Sequence, residues 1–146
     1  MKTLVLTILI VLFLWDSAIA GNTPQKNPYV NCSVSVKQKK LKSGAKGELL
    51  ITLTPRQGIH INLEPPLSVT LDQSKAIASL GNIAIAQKDT ILDVSKPIRF
   101  TFTLAQSIKP GKVTIGGAVT YFYCSETEGW CSKFKQQFEA KFTLIK

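Results

Sequence analysis

Histidine is almost missing from this chain of 146 residues, where His60 stands alone. As a general base it would need a nucleophile and an orienting partner, and no local pattern supplies either. His60 therefore reads as a surface or rim residue beside a turn. Closely spaced metal ligands are missing too. Cys32, His60, Cys124 and Cys131 include no pair with the short spacing of zinc sites, so no metal is expected. Walker, Rossmann, zinc-ribbon and nucleophile-elbow patterns are absent, which removes those nucleotide, metal and hydrolase signatures and calls for no cofactor. Acidic residues are few, 9 against 18 lysines and arginines, and the formal net charge is +9. No internal repeat, low-complexity tract or convincing helical periodicity is present.

Long apolar runs are also scarce, and the one at the start reads as an address. Lys2 precedes an apolar stretch from Leu4 to Trp15, and Ala18-Ile19-Ala20 has the small-x-small form of a cleavage site. The stretch falls short of the roughly 20 apolar residues a spanning helix needs. No cysteine follows the site to carry a lipid. Residues 1–20 are thus expected as a signal peptide, giving an exported protein, periplasmic or secreted, without a stable membrane anchor. The remaining 126 residues suit one domain with one core. Export makes nucleic acid an improbable partner for the positive charge. An acidic protein or an anionic envelope surface fits better.

What the sequence does have is alternation. Residues 21–29 carry two prolines and polar side chains and read as a flexible lead-in. From Val30 the period is two: Val30, Cys32, Val34 and Val36 share a face, which makes Cys32 a core-side thiol. Lys37 to Lys46 is a basic connector, and Glu48 to Thr54 resumes as a strand closed by Pro55. Gly58 permits a turn before His60, and Pro65-Pro66 stiffens the exit toward an alternating Leu67-Val69-Leu71. Residues 72–95 are the least regular, expected as weak strands or a helical turn over 76–86 and a loop from Gln87 to Ser95. Ile98 to Leu104 alternates strongly. Val113 to Tyr123 is interrupted by Gly116-Gly117, which suggests a bulge or sharp bend. Phe134 to Leu144 has the cleanest alternation of all. Seven to eight short strands in residues 30–146 predict an all-β, immunoglobulin-like antiparallel β-sandwich.

Two cysteines sit between the last two strands, in Tyr123-Cys124-Ser125-Glu126-Thr127-Glu128-Gly129-Trp130-Cys131. If Tyr123 and Lys133 flank a hairpin, Cys124 and Cys131 fall opposite one another. Directly opposed residues lie about 4.5 Å apart at Cα, within the roughly 4.4–6.8 Å a disulfide tolerates. Closing so short a loop is worth on the order of 2.5 kcal/mol. The flanking charges are asymmetric. Glu126 and Glu128 follow Cys124 and disfavour its thiolate, whereas Lys133 and Lys135 follow Cys131 and favour it. Cys131 is the expected attacking sulfur and Cys124 the resolving one, with Tyr123 and Trp130 as an apolar collar. The competing reading is a structural disulfide in a non-enzymatic immunoglobulin-like binding module that uses its basic surface. Both stay open at this level.

The segment Val119-Thr120-Tyr121-Phe122-Tyr123-Cys124, then Gly129-Trp130-Cys131 and an alternating final strand, resembles the family of amino-terminal periplasmic domains of DsbD-type thiol:disulfide interchange proteins. Gly58 to Asn62, running into Pro65-Pro66 and the Leu67–Leu71 strand, is similar to an earlier segment of that family. The resemblance implies a redox-active Cys124–Cys131 pair that takes electrons from a thioredoxin-like protein or domain and passes them to envelope disulfide proteins. It places the mixed disulfide on Cys131. The loop between the cysteines is one residue longer than the family's, and His60 and Asn62 stand where the family has tyrosines.

Overall fold

Strict alternation over Val30–Val36, Lys46–Pro55 and Ile98–Leu104 gives each segment one apolar face, and burying that face requires two sheets. The computed structural model describes residues 25–146, so the expected signal peptide and the beginning of the lead-in lie outside the described residues. In chain order the strands are β1 (Val30–Val36), β2 (Lys40–Lys42), β3 (Lys46–Pro55), β4 (Ile59–Asn62), β5 (Ser68–Leu71) and β6 (Ile77–Ala84). They continue with β7 (Gln87–Lys88), β8 (Ile91–Leu92), β9 (Ile98–Leu104), β10 (Gly111–Ser125) and β11 (Trp130–Ile145). One sheet has the order β1-β3-β9-β6. The other runs β2-β11-β10-β4-β8-β7, with β5 also paired to β10. This is the expected all-β immunoglobulin-like sandwich, and the described residues contain no helix.

The core lies between the sheets. Leu49, Ile51 and Leu53 of β3 and Ile98, Phe102 and Leu104 of β9 meet Ile115, Val119 and Tyr121 of β10 and Leu144 of β11, all almost fully buried. The Tyr121 hydroxyl, buried at the end of this layer, accepts a bond from Asn27 Nδ2 at 3.1 Å. Burial pushes this phenol up to about 12. Asn27 also accepts the Tyr29 amide at 2.8 Å, and the Tyr29 carbonyl takes the Arg56 amide at 2.9 Å. From Asn27 onward, the stretch expected to be flexible is therefore tied to the sandwich. The polar composition that suggested a free lead-in is satisfied by specific partners instead.

Three expectations are corrected. Among the described residues the strands number eleven rather than seven or eight, because β2, β7 and β8 are two or three residues long and carry no readable period. The basic connector contains β2, which pairs parallel to the end of β11 through Leu41 opposite Leu144. Within the expected loop from Gln87, β7 and β8 pair with each other. The third correction concerns Gly116-Gly117. The β10–β11 register runs unbroken from Gly111↔Leu144 to Ser125↔Trp130, so there is no bulge against β11. These glycines serve a close approach instead. A Cβ at Gly117 would strike the Thr70 carbonyl and the Phe138 ring, and one at Gly116 would meet only the carboxylate of Asp72.

That difference yields a paired prediction. Gly117→Ala is expected to lower the unfolding free energy by about 1–3 kcal/mol, because backbone and ring must both move. Gly116→Ala is expected to change it by less than about 0.5 kcal/mol, as a flexible surface side chain can swing aside. Denaturant midpoints of the two variants, measured side by side, check the contrast. Equal loss at both positions would restore the bend reading. A second prediction concerns Cys32, which is free and half-buried on β1, its thiol pushed up to about 11 by burial. Its alkylation in the native protein at pH 8 should run about two orders of magnitude slower than that of an unperturbed thiol with a pKa near 8.5. The alkylation rate should rise about tenfold per pH unit above pH 8 and level off only near pH 11.

Candidate functional site

The Cys124–Cys131 bridge follows from the register of the longest hairpin. β10 and β11 turn through Glu126–Gly129, where Gly129 takes a φ of 68°, the left-handed region open to glycine. Ser125, buried, holds the turn: its carbonyl accepts the Gly129 amide at 2.9 Å and its hydroxyl accepts the Glu128 amide at 3.2 Å. Cys124 then stands directly opposite Cys131 with the Cα atoms 4.0 Å apart, and the two are joined as a disulfide. A third strand reaches the pair from the other side. Gly58 turns with φ 78° into β4, whose His60 pairs with Cys124 and whose Asn62 pairs with Phe122. His60, Cys124 and Cys131 therefore form one row across three strands, on one face of the sheet.

The two sulfurs do not share an environment. Cys124 is only 5% exposed, flanked by β4, and its Sγ accepts a hydrogen bond from Asn62 Nδ2 at 3.0 Å. Cys131 is exposed. The cause is topological. β2, the outer neighbour of β11, pairs only with Thr143–Ile145, so among the described residues no strand lies beside β11 at Cys131. One cysteine is interior to the sheet and the other lies on an open edge.

The charged neighbours are also distributed differently from the sequence reading. Glu126 reaches across to His60 in the cysteine row, with its Oε1 3.3 Å from a buried Nδ1, close enough for an ion pair but without hydrogen-bond geometry. The Glu128 carboxylate accepts from the Trp130 indole N–H. Lys133 lies beside the pair, its ammonium 5.7 Å from the centre of the Phe122 ring, one row from the disulfide. Both acidic residues are thus engaged by other side chains, Glu126 at His60 within the cysteine row, and Lys133 stands on the same face.

Tyr123 and Trp130 are not a collar over the sulfurs. Each is the chain neighbour of a cysteine, and consecutive strand residues point to opposite faces. Tyr123 stacks edge-on against Trp130 at 5.7 Å, and Tyr29 closes the cluster at 5.1 Å from Trp130. These rings brace the hairpin from the inner side. The groups that do stand beside the bridge are His60, Asn62, Phe122 and Lys133. Asn62 was the contact missed as a site residue: nothing in the sequence says that β4 pairs with β10 at this register.

Cys32 is on β1, in the other sheet, and does not join the pair. Among the described residues no three His, Cys, Asp or Glu side chains group as a metal site requires. A cleft of about 900 Å³ runs between the Lys26–Val34 stretch and Gln136–Glu139. Its lining includes Cys32 but neither cysteine of the disulfide, and it mixes Lys26, Arg56 and Lys135 with Asp72 and Glu139. Its polar groups show no convergence comparable with the Asn62–Cys124 contact.

No protein-family model matches the chain. No curated protein matches it either. Among solved structures it is similar to one described as the ZirS C-terminal domain, with a TM-score of 0.38 and 14% sequence identity. That match covers 99% of this chain and 84% of the other.

Proposed function

We propose that the protein is an exported thiol–disulfide exchange module in which the Cys124–Cys131 pair passes electrons between a thioredoxin-like partner and envelope disulfide proteins. The observation that carries this reading is the inequality of the two sulfurs. Exchange needs one sulfur open to attack and another that can depart and be stabilised. Cys131 has the exposure, and Cys124 has the burial and the Asn62 donor. The resemblance of Val119–Cys124 and Gly129–Cys131 to DsbD-type amino-terminal domains supports the same assignment.

In this mechanism a thiolate of the reduced partner attacks Cys131 Sγ. The Cys124–Cys131 bond breaks, a mixed disulfide forms on Cys131, and Cys124 leaves as a thiolate that accepts the Asn62 N–H and then a proton. The partner's second thiol attacks its own sulfur in the mixed disulfide and releases Cys131. Two electrons and two protons have then moved from the partner's dithiol to Cys124 and Cys131. Discharge runs the sequence backwards: Cys131 thiolate attacks a substrate disulfide, and Cys124 resolves the adduct. Asn62 acts through a hydrogen bond to a charged leaving group, a class worth about 1.5–3 kcal/mol.

Two measurements test the reading. The reduction potential of the pair is expected in the range of disulfide oxidoreductases, roughly −270 to −120 mV. A value below about −300 mV would mark a structural bridge and leave the binding-module reading in its place. In partner trapping, the free Cys131 thiol of Cys124→Ser should attack oxidised thioredoxin and accumulate a mixed disulfide, and Cys131→Ser should not. Asn62→Ala should slow reduction by dithiothreitol about tenfold or more, the kinetic equivalent of losing that hydrogen bond in the transition state. An unchanged rate in Asn62→Ala would remove the leaving-group role while leaving the exchange assignment to the potential.

A further inference from the structure

We infer that the outer face of β2, β11 and β10 is a docking surface for an acidic face of a folded protein, namely the thioredoxin-like partner. This deepens the exchange reading and rests on it. The parallel placement of β2 creates the surface. With Leu41 facing inward against Leu144, Lys40 and Lys42 must face outward beside Thr143 and Ile145. Thr143 in turn pairs with Lys112, so Lys40, Thr143 and Lys112 form a row across three strands. Lys141, Lys135 and Lys133 follow on the same face of β11 at even spacing, and the next residue on that face is Cys131. All six lysines are exposed.

The balance of charge on this face is one-sided. Lys141 pairs with Glu139 at 3.8 Å, and Asp72 stands beside Gly116, across from Glu139. These two carboxylates occupy the middle of the strip. On either side of them Lys40, Lys42, Lys112, Lys133 and Lys135 pair with no carboxylate among the described residues. From Lys133 to the Thr143 row is ten residues of strand, about 34 Å at 3.4 Å per residue. That matches the width of a small domain rather than of a small ligand, and it begins at the sulfur that such a domain would have to reach. Apolar side chains that could enter a lipid surface are limited to Phe122, roofed by Lys133, and Ile145 at the far end. An acidic protein face, which needs only opposed charge on a flat surface, is the occupant that fits.

The test uses a charge-reversed variant, Lys40→Glu/Lys112→Glu/Lys141→Glu, distant from the disulfide, with thioredoxin of net negative charge as the probe. Binding of thioredoxin to the immobilised wild-type protein should weaken as ionic strength rises, and should fall about tenfold or more in the variant, as expected when rim charges steer association. Reduction of both proteins by uncharged dithiothreitol should be equal. Binding that ignores both salt and the substitutions would overturn the proposal. So would lysine-dependent adsorption to phosphatidylglycerol vesicles with no thioredoxin binding, which would make the surface a membrane contact. If thioredoxin binds through the lysines yet never reduces the disulfide, docking stands and the exchange reading falls. If it reduces the disulfide at a rate untouched by salt and substitution, exchange stands and docking falls.

Discussion

The structure depends most on one unbroken antiparallel register, that of β10 with β11. Fifteen consecutive pairs, Gly111↔Leu144 to Ser125↔Trp130, fix which side chains of the two longest strands share a face. The inner face receives Ile115, Val119, Tyr121, Phe142 and Leu144 and forms one wall of the core. The outer face receives Cys124, Cys131, Phe122, Lys133 and Lys135. A slip of a single residue would send the whole set to the wrong side. The disulfide sits at the turn end of this ladder, where a short covalent loop contributes most to holding register rather than to global stability. Tyr29, Tyr123 and Trp130, packed under the turn, supply the same constraint from the core side.

Around that hairpin the topology breaks the symmetry of the cysteines. Two opposed residues on a two-stranded ribbon would be equally exposed. Here β4 covers one side of β10 at Cys124, and among the described residues no strand covers the other side of β11 at Cys131, because β2 reaches only the far end. The same arrangement determines who touches the sulfur. Asn62 bonds to Cys124 because β4 runs two pairs beyond it, which puts the next side chain of that face beside the sulfur, and His60 is left facing Glu126 with a buried nitrogen short of a hydrogen bond. Chemical asymmetry at the bridge is thus a consequence of strand lengths, with the flanking charges adding to it.

Much of this fold was legible from alternation alone. Val30–Val36 and Ile98–Leu104 have the bounds their period indicates, since each buries one face on a single partner sheet. The cysteine hairpin was legible too, because two alternating strands joined by a short polar loop with Gly129 leave few other pairings. The faces of Tyr123 and Trp130 could have been read from the same rule, and treating them as a collar overlooked their odd spacing from the cysteines. Elsewhere the signal was physically absent. β6 is an edge strand, nearly all exposed and carrying two register shifts against β9, so no periodicity survives in Ile77–Ala84. Short β2 shows only Lys-Leu-Lys, a pattern that a solvated turn also shows. Gly116-Gly117 signals close approach or bend equally well in sequence, and only the position of Thr70 and Phe138 separates them.

The placement of β2 has a consequence for how charge relates to the fold. A basic connector drawn out as a loop would spread its lysines in all directions, and its charge would act mainly on solubility. Paired to β11, the same residues must alternate, and one apolar residue, Leu41, is enough to orient them, because its burial against Leu144 commits Lys40 and Lys42 to the outer face. The exposed lysines of β11 follow from the opposite cause: Phe134, Gln136, Phe138, Ala140, Phe142 and Leu144 occupy the inner positions, so every intervening residue faces out. Hydrophobic burial on one side of a sheet thereby organises charge on the other. A net charge of +9 is by itself a diffuse property. Ordered by the pleat, part of it becomes a surface with a length and a direction, and that direction leads to Cys131.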